Sequence, residues 1–213
     1  MRVRGFTLVE VLVALAVMAV LAVLSWQGVD GMARTREQVR LRQATTHTLQ
    51  ASLAQWRTDL NQIDNPPPAA TPGAGMDWNG LVFRMVRRSP PAQGEGWRVV
   101  AWARMDVQGV PHWARWQSED LRTPAALTQA WAQAERWAQN PGSFDPRALA
   151  LLPLREMSVF YARDASWVNP LSSGDATTAP EGVRLILTVP ESVQGGGRLQ
   201  TDWVRPTLSG NKS

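Results

Sequence analysis

Apolar residues run unbroken from Val11 to Leu24, and Phe6, Leu8 and Val9 extend the run backward. Within residues 6–26 only Thr7, Glu10 and Ser25 are polar. At ~1.5 Å per residue this stretch covers roughly 30 Å, the thickness of a bilayer's hydrocarbon core. Arg2 and Arg4 precede it. Trp26 closes it, placing an aromatic ring where a membrane–water interface favours one. The pattern predicts a membrane-spanning helix at residues 6–26 with one carboxylate, Glu10, near its start. A secretory signal peptide has a shorter apolar region of about 7–15 residues and then a small-residue cleavage site.

The helical pattern continues past the apolar run. No proline occurs before Pro66, and Leu49, Leu53, Trp56, Leu60 and Ile63 recur at alternating steps of four and three. That is one face of a helix. The simplest reading is a single helix over residues 6–64, with an amphipathic half at 27–64 whose stripe lies on a sheet. Asn65-Pro66-Pro67-Pro68 stops it.

Residues 65–77 are rich in Pro, Gly and Ala and read as a linker. Strand patterns follow at 81–86, 97–107 and 112–117, the last two joined by a turn at Gly109. Thr123-Pro124 reads as a helix cap and first helical residue, with the helix reaching Gln139 and Leu127, Trp131, Ala134 and Trp137 on one face. Further strands are expected at 155–162, 183–189 and 199–204, with Gly195-Gly196-Gly197 as a turn. A long helix followed by a largely antiparallel sheet is an α+β arrangement. Residues 65–213 read as one β-rich domain without internal repeat.

Composition narrows the chemistry. The chain has 213 residues, a formal charge of +4, no cysteine and eleven tryptophans. Disulfides, thiolate metal sites and cysteine nucleophiles are excluded. Lys212 is the only lysine, so the positive charge is arginine, read as a solvated surface rather than a nucleic-acid footprint. The tryptophans read as core and sheet-face packing. His47 and His112, the only histidines, are far apart in sequence and read as structural. No metal motif, Ca²⁺ loop, Gly-x-Ser-x-Gly elbow or phosphate loop appears, and Gly94-Glu95-Gly96 reads as a turn. Glu119-Asp120 reads as a solvated loop rather than a cation site. The expectation is no enzyme, no cofactor, no metal and no nucleic acid.

One stretch carries a family signature. Gly5-Phe6-Thr7-Leu8-Val9-Glu10, followed by an unbroken apolar helix, resembles the prepilin leader of type IV pilins and type II secretion pseudopilins. In that family a membrane peptidase cuts after the glycine on the cytoplasmic side and methylates the new N-terminus. The resemblance implies a leader at 1–5, cleavage between Gly5 and Phe6, and N-methylation of Phe6. It implies for Glu10 an assembly role, its carboxylate meeting the terminal amine of a neighbouring subunit. A buried acid and a buried amine offset each other when paired.

The chain's size, and its residues around 26–38, 157–170, 179–189 and 195–206, are similar to the J-type minor pseudopilin. The K-type subunit is larger and lacks the acid, and the major G-type subunit is smaller and has a calcium loop not found here. Membership of that family would make the chain a single-pass inner-membrane protein with a cytoplasmic N-terminus and a periplasmic domain. Its partners would be the I-, K- and H-type minor pseudopilins, the major pseudopilin, the prepilin peptidase, the inner-membrane assembly platform and an exported protein. A type IV minor pilin, for adhesion or DNA uptake, and a Trp-rich binding module are the alternatives. Arg34, Arg36, Arg40 and Arg42 past the span outnumber Arg2 and Arg4 before it, against the positive-inside rule. Asp30 and Glu37 sit among them, and long domains translocate largely regardless of charge.

Overall fold

The computed structural model describes residues 7–65, 75–89, 96–140, 145–172, 178–191, 193 and 196–206, apart from the side chains of residues 38, 41 and 42. Most of the expected 65–77 linker and Gly195 of the expected triple-glycine turn lie outside these residues. The chain forms two compact units, residues 1–44 and 45–213. Helix α1, Leu8–Asn61, contributes to both.

In the first unit α1 exposes its apolar side chains all round, from Leu8 through Val11, Leu15, Met18 and Leu24 to Val29. A helix that is apolar on every face has no side to turn toward water. The segment Leu8–Glu37 is long and apolar enough, by length and composition, to cross a membrane.

The second unit has three layers. A five-stranded antiparallel sheet consists of β1 (Met76–Trp78), β2 (Val82–Arg88), β3 (Trp97–Val107), β4 (Val110–Gln117) and β5 (Ala148–Pro153), in that spatial order. Helix α2, Pro124–Gln139, lies between β4 and β5 in sequence. A four-stranded antiparallel sheet contains β6 (Glu156–Arg163), β7 (Ser166–Val168), β8 (Gly182–Val189) and β9 (Gly197–Val204), ordered β7-β6-β8-β9. The α+β expectation holds, with two sheets in place of one.

The first sheet is covered on both faces, which is why residues 82–86 read as a nearly continuous apolar run. Phe83, Met85, Val100, Trp102 and Trp113 point to one side, into a core with Trp56 and Leu60 of α1 and with Val159, Val183, Leu185 and Leu187 of the second sheet. Val82, Val86, Val99, Ala101, Ala103 and Trp116 point to the other side, against Leu127, Trp131, Ala134 and Trp137 of α2. The expected stripe of α2 is buried; on α1 Trp56 and Leu60 are buried, Leu49 and Leu53 pack partly buried against the same core, and Ile63 does so from beyond the helix end. Trp56 is fully buried at the centre, its ring 5.0 Å from Phe83, 5.6 Å from Trp102 and 6.2 Å from Trp113.

A carboxylate sits in this aromatic core. Asp59 is 0% exposed. Arg115 donates to both its oxygens, Nε to Oδ2 at 2.8 Å and Nη2 to Oδ1 at 2.9 Å. Arg87 Nη1 and Gln55 Nε2 donate to Oδ1 at 2.9 Å each, and Trp102 Nε1 donates to Oδ2 at 3.0 Å. Gln117 Oε1 then accepts from Arg87 at 3.0 Å and Arg115 at 2.8 Å. The reading of the arginines as a solvated surface is corrected here. Arg87 and, on the α2 face, Arg84 are buried, the latter on Asp77 at 2.6 Å and Glu135 at 2.9 Å. They can be buried because each has a carboxylate within reach. Burial still pulls the Arg87 pKa below its ordinary value, with Asp59 opposing the shift and Arg115 and Arg98 adding to it.

Helix α1 stops at Asn61, before the prolines and earlier than expected. Its continuation adds to the edge of β2: Ile63 bridges to Arg87, Asp64 N–H donates to Val86 O at 3.0 Å, and Arg88 N–H donates to Gln62 O at 3.2 Å. Helix α2 begins as expected, with Thr123 Oγ1 accepting from Ala126 N–H at 3.2 Å and Pro124 following. Three short strands, β1, β5 and β7, were not among the expected elements. The turn into β7 uses Asp164 and Ala165, both at positive φ (46° and 60°), without the glycine that usually marks such a turn. At Leu154 the chain passes from one sheet to the other: Leu154 N–H donates to Pro111 O and Arg155 N–H to Thr188 O, both at 2.8 Å.

Two outcomes are expected for stability. Asp59→Asn removes the charge that faces Arg87 and Arg115 and costs about 3–5 kcal/mol, read by urea unfolding of the detergent-solubilised chain through tryptophan fluorescence. Acid destabilises the fold through Asp120, Asp145 and Asp202. Arg98 holds the Asp120 pKa down at about 2, and Arg147 and Arg184 lower those of Asp145 and Asp202. These groups bind protons less readily folded than unfolded. Their stabilisation is therefore present above about pH 4 and lost as pH falls toward about 2, which thermal melts over that range would show.

Candidate functional site

Among the described residues no group of three or more His, Asp and Glu could hold a metal ion. His112 Nδ1 lies 2.8 Å from Val110 O beside the β3–β4 turn, and His47 is on the exposed side of α1. Ser118 is buried and accepts from Val99 N–H at 3.0 Å while donating to Glu119 O at 2.8 Å, a structural use. Ser143 falls outside the described residues. Glu119 and Asp120 lie in the loop before α2, Glu119 exposed and Asp120 partly so; Asp120 also accepts from Arg98 Nε at 2.6 Å and from Ser89 Oγ at 2.6 Å.

The chemistry predicted from the sequence concentrates at the start of α1. Gly5 and Phe6 lie outside the described residues. Glu10 is in the first turn of the helix and exposed. Its Oε2 accepts from Thr7 N–H at 2.9 Å and from Thr7 Oγ1 at 3.0 Å, while Glu10 N–H donates to Thr7 Oγ1 at 3.3 Å. The two residues form a reciprocal capping box: each side chain satisfies a backbone N–H that the helix leaves without a partner. A carboxylate here also faces the positive end of the helix dipole.

Thr7 is the residue that sequence reasoning overlooked. Its signal was present, since Thr-x-x-Glu ahead of an apolar run is a capping-box pattern. The box gives Glu10 a local role within its own chain and fixes the carboxylate's direction. Oε2 is engaged by Thr7, and Oε1 makes no hydrogen bond among the described residues, leaving it open to a donor from outside.

Comparison with known proteins bears on this same segment. Residues 1–26 match the prokaryotic N-terminal methylation motif. No curated protein matches the chain. A chain of the crystal structure of the GspK-GspI-GspJ complex from the enterotoxigenic Escherichia coli type 2 secretion system is similar at 18% identity and a TM-score of 0.47, over 79% of this chain and 99% of that one.

Removing the cap is expected to loosen the first turn. Thr7→Ala costs about 1 kcal/mol of helix-end stability and speeds amide exchange at residues 7–10, whereas Thr7→Ser retains protection. Hydrogen-exchange mass spectrometry of the detergent-solubilised chain distinguishes them.

Proposed function

We propose that this chain is a minor pseudopilin of type II protein secretion, of the J type, and works by assembly rather than catalysis. The methylation motif over residues 1–26 carries the reading. It is supported by an apolar helix of membrane-spanning length directly behind the motif, and by a helix-plus-antiparallel-sheet unit behind that.

In this reading the membrane peptidase removes residues 1–5 and methylates Phe6. The new amine then lies one residue before the Thr7 cap. Glu10 is held at the helix start by Thr7, with Oε1 free to take the amine of the adjacent subunit. The acid and the amine are each costly in lipid when alone, and a preset carboxylate direction reduces what must be ordered when they meet. Residues 6–26 span the inner membrane and pack among other subunits' helices, and the β-rich unit stands in the periplasm. Its partners are the I-, K- and H-type minor pseudopilins and the major pseudopilin, built from the inner-membrane assembly platform into a short filament. The minor pseudopilins form the complex at its tip, which primes assembly of the filament and helps move folded proteins across the outer membrane. Each acid receives the amine of the next subunit toward the tip, so this chain has a neighbour beyond it and is not terminal.

Two measurements test the reading. Intact-mass analysis of the membrane-extracted protein from cells with active peptidase gives a chain starting at methylated Phe6; a chain starting at unmodified Met1 rejects it. Glu10→Leu inserts into the membrane as the native chain does but fails to co-purify with I- and K-type partners, and undiminished co-purification rejects the assembly role. A type IV minor pilin would also give the first result, and the partners recovered separate the two.

A further inference from the structure

We propose that residues 28–35 of α1 form a hinge just outside the bilayer, where the helix loosens on one face and bends while staying helical on either side. The proposal rests on the membrane-spanning reading of residues 6–26 and adds a conformational device to it.

Helix α1 runs without a proline, yet it carries two glycines three residues apart, Gly28 and Gly31. Each makes the helix about fivefold less favourable locally than alanine would, because a glycine backbone loses more freedom on becoming helical. Packing gives no reason for either: a Cβ on Gly28 or Gly31 would meet nothing within 4 Å. Neither stands at positive φ. Within this chain nothing offsets the weakness they introduce.

Thr35 follows Gly28 and Gly31 at steps of three and four, so the three share one face. Thr35 Oγ1 donates to Gly31 O at 2.9 Å, the same carbonyl that the Thr35 N–H takes in a regular helix. Back-bonding of this kind weakens the backbone bond it shares and bends helices. With no side chain at 28 or 31, the carbonyls on this face are also open to water. On another side of the helix Arg34 pairs with Asp30 at 2.7 Å, spanning Gly31. The helix is laced on one side and loosened on the other, which makes the bend convex on the glycine face.

Position matters as much as composition. Counted from Trp26, Gly28 and Gly31 stand about 3 and 8 Å past the hydrocarbon core, within and just outside a headgroup layer about 5–7 Å thick. Inside the hydrocarbon an opened turn would leave its backbone groups without partners. The glycines come at the first turn where water takes those groups instead. The span then keeps the tilt that lipid and neighbouring helices impose on it, and the stretch after residue 35 takes another direction.

The chain has no cysteine, so the exposed positions Ala22 and Arg40, changed to cysteine, take spin labels at those two sites alone. Both lie on the side away from the glycines, about 27 Å apart along a straight helix. Double electron–electron resonance on the full chain in nanodiscs reads their separation. With both glycines present the distribution is broad and carries a component at shorter distance, and Gly28→Ala/Gly31→Ala shrinks that component about twentyfold. A single narrow distribution with the glycines present, or one equally broad in the alanine variant, overturns the proposal. A second label pair at Val9 and Ala22, inside the span, stays narrow; one as broad as the first also overturns it. Insertion into the nanodiscs is measured alongside. A chain that inserts and stays straight sinks this proposal alone, and a chain that does not insert sinks the membrane reading with it.

Discussion

The globular unit depends on one buried carboxylate. Asp59 lies on the inward face of the long helix, and the sheet beneath supplies two guanidiniums and an indole N–H to receive it. Burying such a group alone would cost several kcal/mol, and it is tolerated only because its oxygens are fully engaged. The requirement works in both directions. Arg87 and Arg115 project from β2 and β4 into an otherwise aromatic layer, and only an acid at that height of the helix makes their positions tenable. Apolar contacts around Trp56 provide the bulk of the attraction between helix and sheet. The Asp59 network is directional, so it selects one rotation and one height of the helix among the many that apolar packing alone would accept.

Much of this was legible in the sequence, and the misses have a common cause. Periodicity placed α2, the second half of α1 and β8, while β2 and β3, covered on both faces, showed as apolar runs bounded by turn residues. The cap at Thr123 was readable because its chemistry is local. What escaped was short or non-local. Strand β1 has three residues beside a Pro- and Gly-rich stretch, and β7 has three behind a turn without glycine. Strand β5 (ALALLP) has no alternation to identify it. The ion pairs joining Asp59 to strands 28 and 56 residues later leave no local trace. An acid three residues after Trp56, on the same stripe, was the available hint. At the N-terminus the family pattern was recognised while the capping box inside it was missed, although both lie in the same few residues.

Tryptophan use follows the same division between bulk and direction. Trp97, Trp102, Trp116 and Trp203 each donate an indole N–H to a side-chain oxygen of Asp64, Asp59, Asp145 and Asn61 respectively. Trp56, Trp113 and Trp131 are buried without a partner for theirs among the described residues. The first group ties loops and helix ends to the sheets, and the second fills volume. With no cysteine available for covalent bracing, these rings and the arginine–carboxylate pairs are the means by which the unit is held together.

Leu154 and Arg155 alone join the two sheets, with β5 ending at Pro153 and β6 beginning at Glu156. Side chains alternate along a strand, so sliding either partner by one position would turn its inward set outward. The two-residue crossing itself leaves no slack for such a slip. The pairing of β4 with β5 does hold one, a register shift between Trp113 and Ala114, so an offset on that side is taken up inside the first sheet before the chain crosses to the second.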